Sequence, residues 1–237
     1  KSPHPGRNEQ IRGGMAAPVK ILVCGDAVGQ LDTLFSRVAT VNSKAGPFAC
    51  LFCVGEFFAA DGEGVGDPLK DYKSGAKKAP IPTYFICGQE YGPKLDQGST
   101  RQEMAPNITY LGSEGIEELH GLRVAYLSGS FPLHASGQME LMAANALMQK
   151  HSLQKPVDLL LTSQWPLGVT MFLQGAPPPQ MATELTKVGT SAAATVAKRL
   201  SPRYHFAGGE GVFYERPPYR NPPAGGGGGG GGGGKMM

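Results

Sequence analysis

Oxygen donors recur just past short apolar runs in this chain. Asp26 follows the run Val19 to Cys24, within Gly25-Asp26-Ala27-Val28-Gly29-Gln30-Leu31-Asp32. Glu56 lies in Cys53-Val54-Gly55-Glu56-Phe57-Phe58, at the end of a second such run. Then come Phe85-Ile86-Cys87-Gly88-Gln89-Glu90-Tyr91, Leu161-Thr162-Ser163-Gln164-Trp165-Pro166, and Arg203-Tyr204-His205-Phe206-Ala207-Gly208-Gly209-Glu210-Gly211. Carboxylates and an amide converging on two cations could hydrolyse a phosphoester, but such a centre also needs several imidazoles. Here the turns are present and the imidazoles are not.

The elements that must position these turns alternate. Val19 to Cys24 reads as a strand, and Leu31, Leu34, Phe35, Val38 and Val41 recur at helical spacing. Phe48 to Val54, Thr83 to Cys87, Ile108 to Leu111, Leu122 to Leu127 and Val157 to Leu161 read as further strands. Met139, Leu141, Met142, Ala146 and Leu147 mark a Met-rich helix over Gly137 to Lys150, and Thr183 to Leu200 reads as an Ala-rich one. Tyr204 to Ala207 and Val212 to Tyr214 are expected as closing strands. The sum is an α/β layered domain whose functional loops cluster at strand C-termini. Residues 1–17 read as a disordered tail, 18–221 as the domain, and 222–237 as a Pro/Gly-rich disordered linker containing the run Gly225 to Gly234.

A chain of 237 residues, 41% hydrophobic, can bury one large core, and a formal charge of +3 does not announce a nucleic-acid binder. Cys24, Cys50, Cys53 and Cys87 sit inside apolar runs, and no second Cys or His pair completes a zinc site around Cys50-Leu51-Phe52-Cys53. Alternation puts Cys50 and Phe52 on one side of a strand and Leu51 and Cys53 on the other, so buried free thiols are expected. No apolar stretch approaches the ~20 residues of a membrane span, and Lys1 to Gly14 lacks a signal-peptide core. A reducing compartment fits. The histidines (His4, His120, His134, His151, His205) offer no rescue of a metal site by position; His120 falls in an expected hairpin turn. His205 adjoins the last turn but should point away from Tyr204 and Phe206, which favours a structural role.

At these turns the chain resembles the calcineurin-like metallophosphoesterases, and specifically their RNA lariat debranching enzyme branch. Ala105-Pro106-Asn107-Ile108-Thr109-Tyr110-Leu111-Gly112 and Leu127-Ser128-Gly129-Ser130-Phe131 extend that resemblance. It is most similar to the CwfJ-type splicing-factor family, whose amino-terminal domain is a debranching-enzyme relative. Pro202-Arg203-Tyr204-His205-Phe206-Ala207 and Tyr214-Glu215-Arg216-Pro217-Pro218-Tyr219-Arg220-Asn221 match that family's end of domain. The fold implied is a calcineurin-like α-β-β-α sandwich with a degenerate metal site.

The resemblance also implies where ligands should be. Asp26 is kept, but Val28 stands at the position of the next histidine, and an isopropyl group has no lone pair to give. Glu56 replaces a bridging Asp, with a methylene too many for a site tolerant to a few tenths of an ångström. Gln89 and Glu90 replace Asn and the histidine that assists the leaving oxygen. Ser163 replaces the histidine before Trp165-Pro166, and Gly209 and Gly211 fall on a His-x-His motif. No binuclear centre, no cofactor and no catalysis are therefore expected.

The expected role is a non-catalytic, spliceosome-associated module in the nucleus (the cytoplasm also open) that assists intron lariat debranching. By resemblance its partners are the RNA lariat debranching enzyme, the post-mRNA-release spliceosomal complex and intron lariat RNA, with no membrane. Phe57, Phe58, Tyr91 and Trp165 could line the vacated cleft as partner contacts, or simply fill it. The alternative is a residual metal-dependent phosphoesterase acting on RNA through Asp26, Glu56 and Glu90. A third reading makes Lys70, Lys73, Lys77 and Lys78 an RNA contact, against a merely solvated helix face.

Overall fold

The computed structural model describes residues 18–59, 66–88, 101–129, 156–171, 188–211 and 213–218. In chain order these hold β1 (Ile21–Cys24), α1 (Leu31–Ala45), β2 (Cys50–Cys53), the single helical turn α2 (Lys70–Lys73), β3 (Thr83–Phe85), β4 (Gln102–Ala105) and β5 (Ile108–Tyr110). Then follow β6 (Glu114–Leu119), β7 (Leu122–Leu127), β8 (Leu159–Thr162), α3 (Ser191–Leu200) and β9 (Tyr204–Ala207). One sheet runs β1-β2-β3-β5-β4 and the other β6-β7-β8-β9. In the first, β4 alone is antiparallel; in the second, the β6–β7 hairpin leads into parallel β7, β8 and β9.

Alternation along β2 assigns its two faces. Leu51 and Cys53 pack with Phe35 and Val38 of α1, with Tyr72, and with Phe85. Cys50 and Phe52 turn the other way, onto Val124, Tyr126, Leu159 and Leu161 of the second sheet. On the far side of that sheet, Ala125 and Leu160 meet Ala192, Val196 and Leu200 of α3. The layers are thus helix, sheet, sheet, helix, a mixed α/β architecture. All four cysteines are free, and burial pushes the Cys50 thiol up to about 12.

Several boundaries differ from the sequence reading. The strand expected over Phe48 to Val54 is shorter, and Val41 is an exposed residue of α1 rather than a core one. The Ala-rich helix begins at Ser191, because extended Thr190 caps it by accepting the Ala193 N–H at its Oγ1. Phe213 to Pro218 form no strand. β4 and β6 were not foreseen as strands, although His120 does sit in the hairpin turn, at φ 52°. The Met-rich segment Gly137 to Lys150 lies outside the described residues. No described helix is long and apolar enough to cross a membrane.

Candidate functional site at the strand C-termini

Parallel register brings the expected site residues together. Past the ends of β1 and β2 the ladder continues into the turns: Asp26 N–H donates to Val54 O (3.1 Å) and Val28 N–H to Glu56 O (2.9 Å). From the second sheet, the turn after β9 arrives over the same point. Asp26 Oδ1 accepts from Glu56 N–H (2.9 Å) and Gly209 N–H (2.9 Å), and Oδ2 accepts from Gly209 N–H as well (3.0 Å). The carboxylate that would open a metal cradle is therefore a clip between two sheets.

Backbone contact closes the remaining space. Gly55 has φ +74°, and a Cβ there would run into Asp26 Oδ1. A Cβ on Gly208 would stand 2.7 Å from Gly55 Cα and 2.8 Å from Gly55 N. Only glycines allow the two turns to approach this closely. Gly88 faces the Glu56 carboxylate so closely that a Cβ would meet Oε1. Ser163, at the end of β8, is buried and donates its Oγ–H to Cys87 O (2.6 Å), tying the second sheet back to the first.

Asp26, Glu56, Ser163 and Gly209 thus lie together. Gly211 lies on the same turn as Gly209, and Val28 is 46% exposed on the first turn. Gln89, Glu90 and Tyr91 lie outside the described residues. Among the described residues the donor set does not fit a pair of cations: Asp26 is bonded to amides, Val28 is hydrocarbon, Ser163 donates inward, and Gly209 and Gly211 carry no side chain. Among the described residues, no group of three or more His, Cys, Asp or Glu is placed to hold a metal ion.

Val28 also carries strain. Its φ of 45° lies in the left-handed region, which a β-branched side chain disfavours by about 1–2 kcal/mol. Val28→Asn should therefore raise stability by about 1 kcal/mol, or a few degrees in Tm, measured by thermal unfolding. An unchanged or lower Tm would show that the isopropyl group has a compensating contact.

The described aromatic candidates, Phe57, Phe58 and Trp165, are buried. Phe57 stacks on Phe85 at 4.1 Å between centroids, and Phe58 meets Phe85 edge-on at 5.5 Å. Both belong to the α1-side core, so the space-filling alternative describes them and neither ring is open to a partner. Trp165 is 5% exposed and packs with Val169, Val188, Ala207 and Tyr214. Of the lysine group, Lys73 pairs with Asp67 (2.6 Å), and Lys77 sits between Asp32 (2.7 Å) and Asp71 (3.0 Å). Those pairings reduce the group's net charge and fit the solvated-face reading.

His205 is half-buried on the edge strand β9, its ring turned onto Thr162. Thr162 Oγ1 gives its proton to Gln164 O (2.7 Å), so at 2.8 Å it must accept from His205 Nε2–H, which fixes the tautomer. Burial drives the imidazole down to about 4. The unfolded chain then binds the proton more readily than the folded one. Stability contributed by neutral His205 is full above pH ~6.5 and declines as pH falls toward about 4. Urea unfolding should show a loss of about 1–2 kcal/mol across that window, flattened in His205→Gln. Identical pH profiles would refute the assignment.

Glu210 joins the site as well, although in sequence it is only the spacer between Gly209 and Gly211. It is half-buried, and burial followed by the Asp26 charge pushes its carboxyl up, against a stabilising bond from Gly189 N–H. Its position between two expected ligand positions was the one available signal.

With this geometry in place, the chain can be set beside known proteins. No protein-family model matches it. It is 40% identical over 214 residues to CWF19-like protein 1 of Mus musculus, covering 86% of this chain and 38% of that protein. The corresponding protein of Homo sapiens is 38% identical over 212 residues, covering 86% and 38%. The chain is a relative of the CWF19-like proteins, which supports the CwfJ/CWF19 family. It is also 39% identical over 223 residues to Zinc finger CCCH domain-containing protein 59 of Oryza sativa subsp. japonica, covering 86% of this chain and 35% of that protein. The chain therefore spans under two-fifths of the length of these curated relatives.

Proposed function

We propose that this chain is a debranching-enzyme-like domain of calcineurin-like metallophosphoesterase ancestry that has exchanged its metal centre for hydrogen bonds. It acts as a non-catalytic module of a spliceosome-associated nuclear protein, assisting intron lariat debranching and late spliceosome turnover. The observation that carries this reading is the Asp26 carboxylate, whose two oxygens accept from Glu56 and Gly209 N–H groups where a family member would place a cation. The helix-sheet-sheet-helix layering and the CWF19-like relatives support it, those names pointing toward splicing. The partners in this reading are the debranching enzyme and the post-mRNA-release spliceosomal complex.

Its test is biochemical. Purified chain should leave a 2′,5′-branched RNA uncut with Mg²⁺ or Mn²⁺, and should accelerate cleavage when a debranching enzyme is added. Turnover by the chain alone, abolished in Asp26→Ala, would establish the residual phosphoesterase instead. No effect in either assay would leave the domain a structural part of a longer protein.

A further inference from the structure

The loops that leave the parallel strand ends have a consistent chemistry. Their described residues carry the carboxylates of Asp26, Glu56 and Glu210, followed by exposed Glu215. The cation among them, Arg216, is turned inward: Nη1 donates to Val169 O (2.6 Å) and Nη2 to Met171 O (3.1 Å). This bond ties the segment after β9 to the loop after β8. Tyr214 reinforces the tie by packing on Trp165, with ring centroids 6.0 Å apart.

Large apolar side chains stand out from these same tied loops. Leu167 is 48% exposed, Met171 57% and Phe213 88%. Leu167 adjoins the acidic cluster through a continuous path of contacts, and Met171 and Phe213 lie further along the two tied segments. Asp26 binds Gly209, Glu210 accepts from Gly189 N–H, and Gly189 abuts the backbone of Leu167, where a Cβ would stand 2.9 Å from the amide nitrogen. Leu167 N–H in turn donates to Thr190 O (3.0 Å). Among the described residues, the loops at this end of the strands therefore combine protruding hydrophobes with carboxylates, and Arg216 is engaged by two carbonyls.

We propose that this face docks a protein segment presenting apolar side chains among lysines or arginines. Charge complementarity selects that occupant: carboxylates attract such a segment and repel a phosphate backbone. Exposed Phe and Met supply the apolar anchor. The inference deepens the function proposed above by naming the class of partner, and rests on that reading for the carboxylates not being occupied by metal ions.

The test uses the whole chain and three fluorescent probes: an amphipathic Lys/Leu peptide, a Glu/Leu peptide of the same pattern, and a single-stranded RNA. Anisotropy should show the Lys/Leu peptide binding about tenfold or more tightly than its acidic counterpart. Met171→Ser with Phe213→Ser should weaken it about tenfold. Both side chains are exposed, so the fold should tolerate the change, and circular dichroism verifies that. Glu215→Lys should weaken binding severalfold. Equal binding of the two peptides, indifference to the variants, or RNA binding lost in those variants would each overturn the proposal. Debranching is read separately. Peptide binding without any stimulation of debranching sinks the proposed function and keeps the surface. Stimulation that survives both serine substitutions, with no peptide preference, does the reverse.

Discussion

Asp26→Ala should lower the free energy of unfolding by about 3 kcal/mol and Tm by roughly 6–12 °C, with no metal ion involved. The carboxylate accepts from Glu56 and Gly209 N–H groups, and both donors are left without it in the variant. Hydrogen bonds to a charged group contribute about 1.5–3 kcal/mol each, and the exposure of Gly209 to water moderates the sum. Asp26→Asn keeps one acceptor oxygen and turns an amide toward Gly209, so about half the loss is expected. Amide hydrogen exchange gives a second readout, since Gly209 and Glu56 should exchange faster in both variants. Were Asp26 a metal ligand, Mn²⁺ would raise the Tm of the unaltered chain and the variant would lose that increment. A divalent-dependent Tm that disappears with Asp26 would therefore reverse the role assigned to this residue.

That clip shows where sequence reasoning stops. Asp26 and Gly209 are separated by 183 positions, and only the packing of the sheet holding β1 and β2 against the sheet holding β8 and β9 brings them within 3 Å. The strands themselves were legible because Cys50 to Cys53 or Leu159 to Leu161 are buried on both faces and so read as unbroken apolar runs. β6 was harder: Glu114, Glu117 and Glu118 dilute its pattern, although Ile116 and Leu119 are buried. β4 has the same difficulty, with Gln102 and Glu103 exposed on an edge strand. The helix over Thr183 to Leu200 was placed by composition, which cannot detect that Thr190 is extended and capping. The relic positions follow from the resemblance at these turns. Their present partners, the carbonyl of Cys87 and the amide of Gly209, belong to the backbone and leave no trace in side-chain identity.

The two phenylalanines after Glu56 raise the same difficulty in sharper form, because an aromatic pair at a strand end suits a binding cleft and a core equally well. Phe57 is 1% exposed, stacked on Phe85 and edge-on to Phe58 at 5.0 Å. Phe57→Ala should then cost about 3–5 kcal/mol, the sum of lost transfer energy and the cavity left behind. Urea unfolding would show a lower midpoint at an unchanged slope, as expected for lost stability alone. Tyr204→Ser, which removes a ring that is 60% exposed, should move the midpoint little. A partner contact at Phe57 would give the opposite outcome, with stability kept and binding lost. The difference matters for function because Phe57 sits directly behind Glu56, whose N–H completes the Asp26 clip. A ring locked into the core holds that turn rigid, so the face it supports is preorganised for a partner rather than moulded by one.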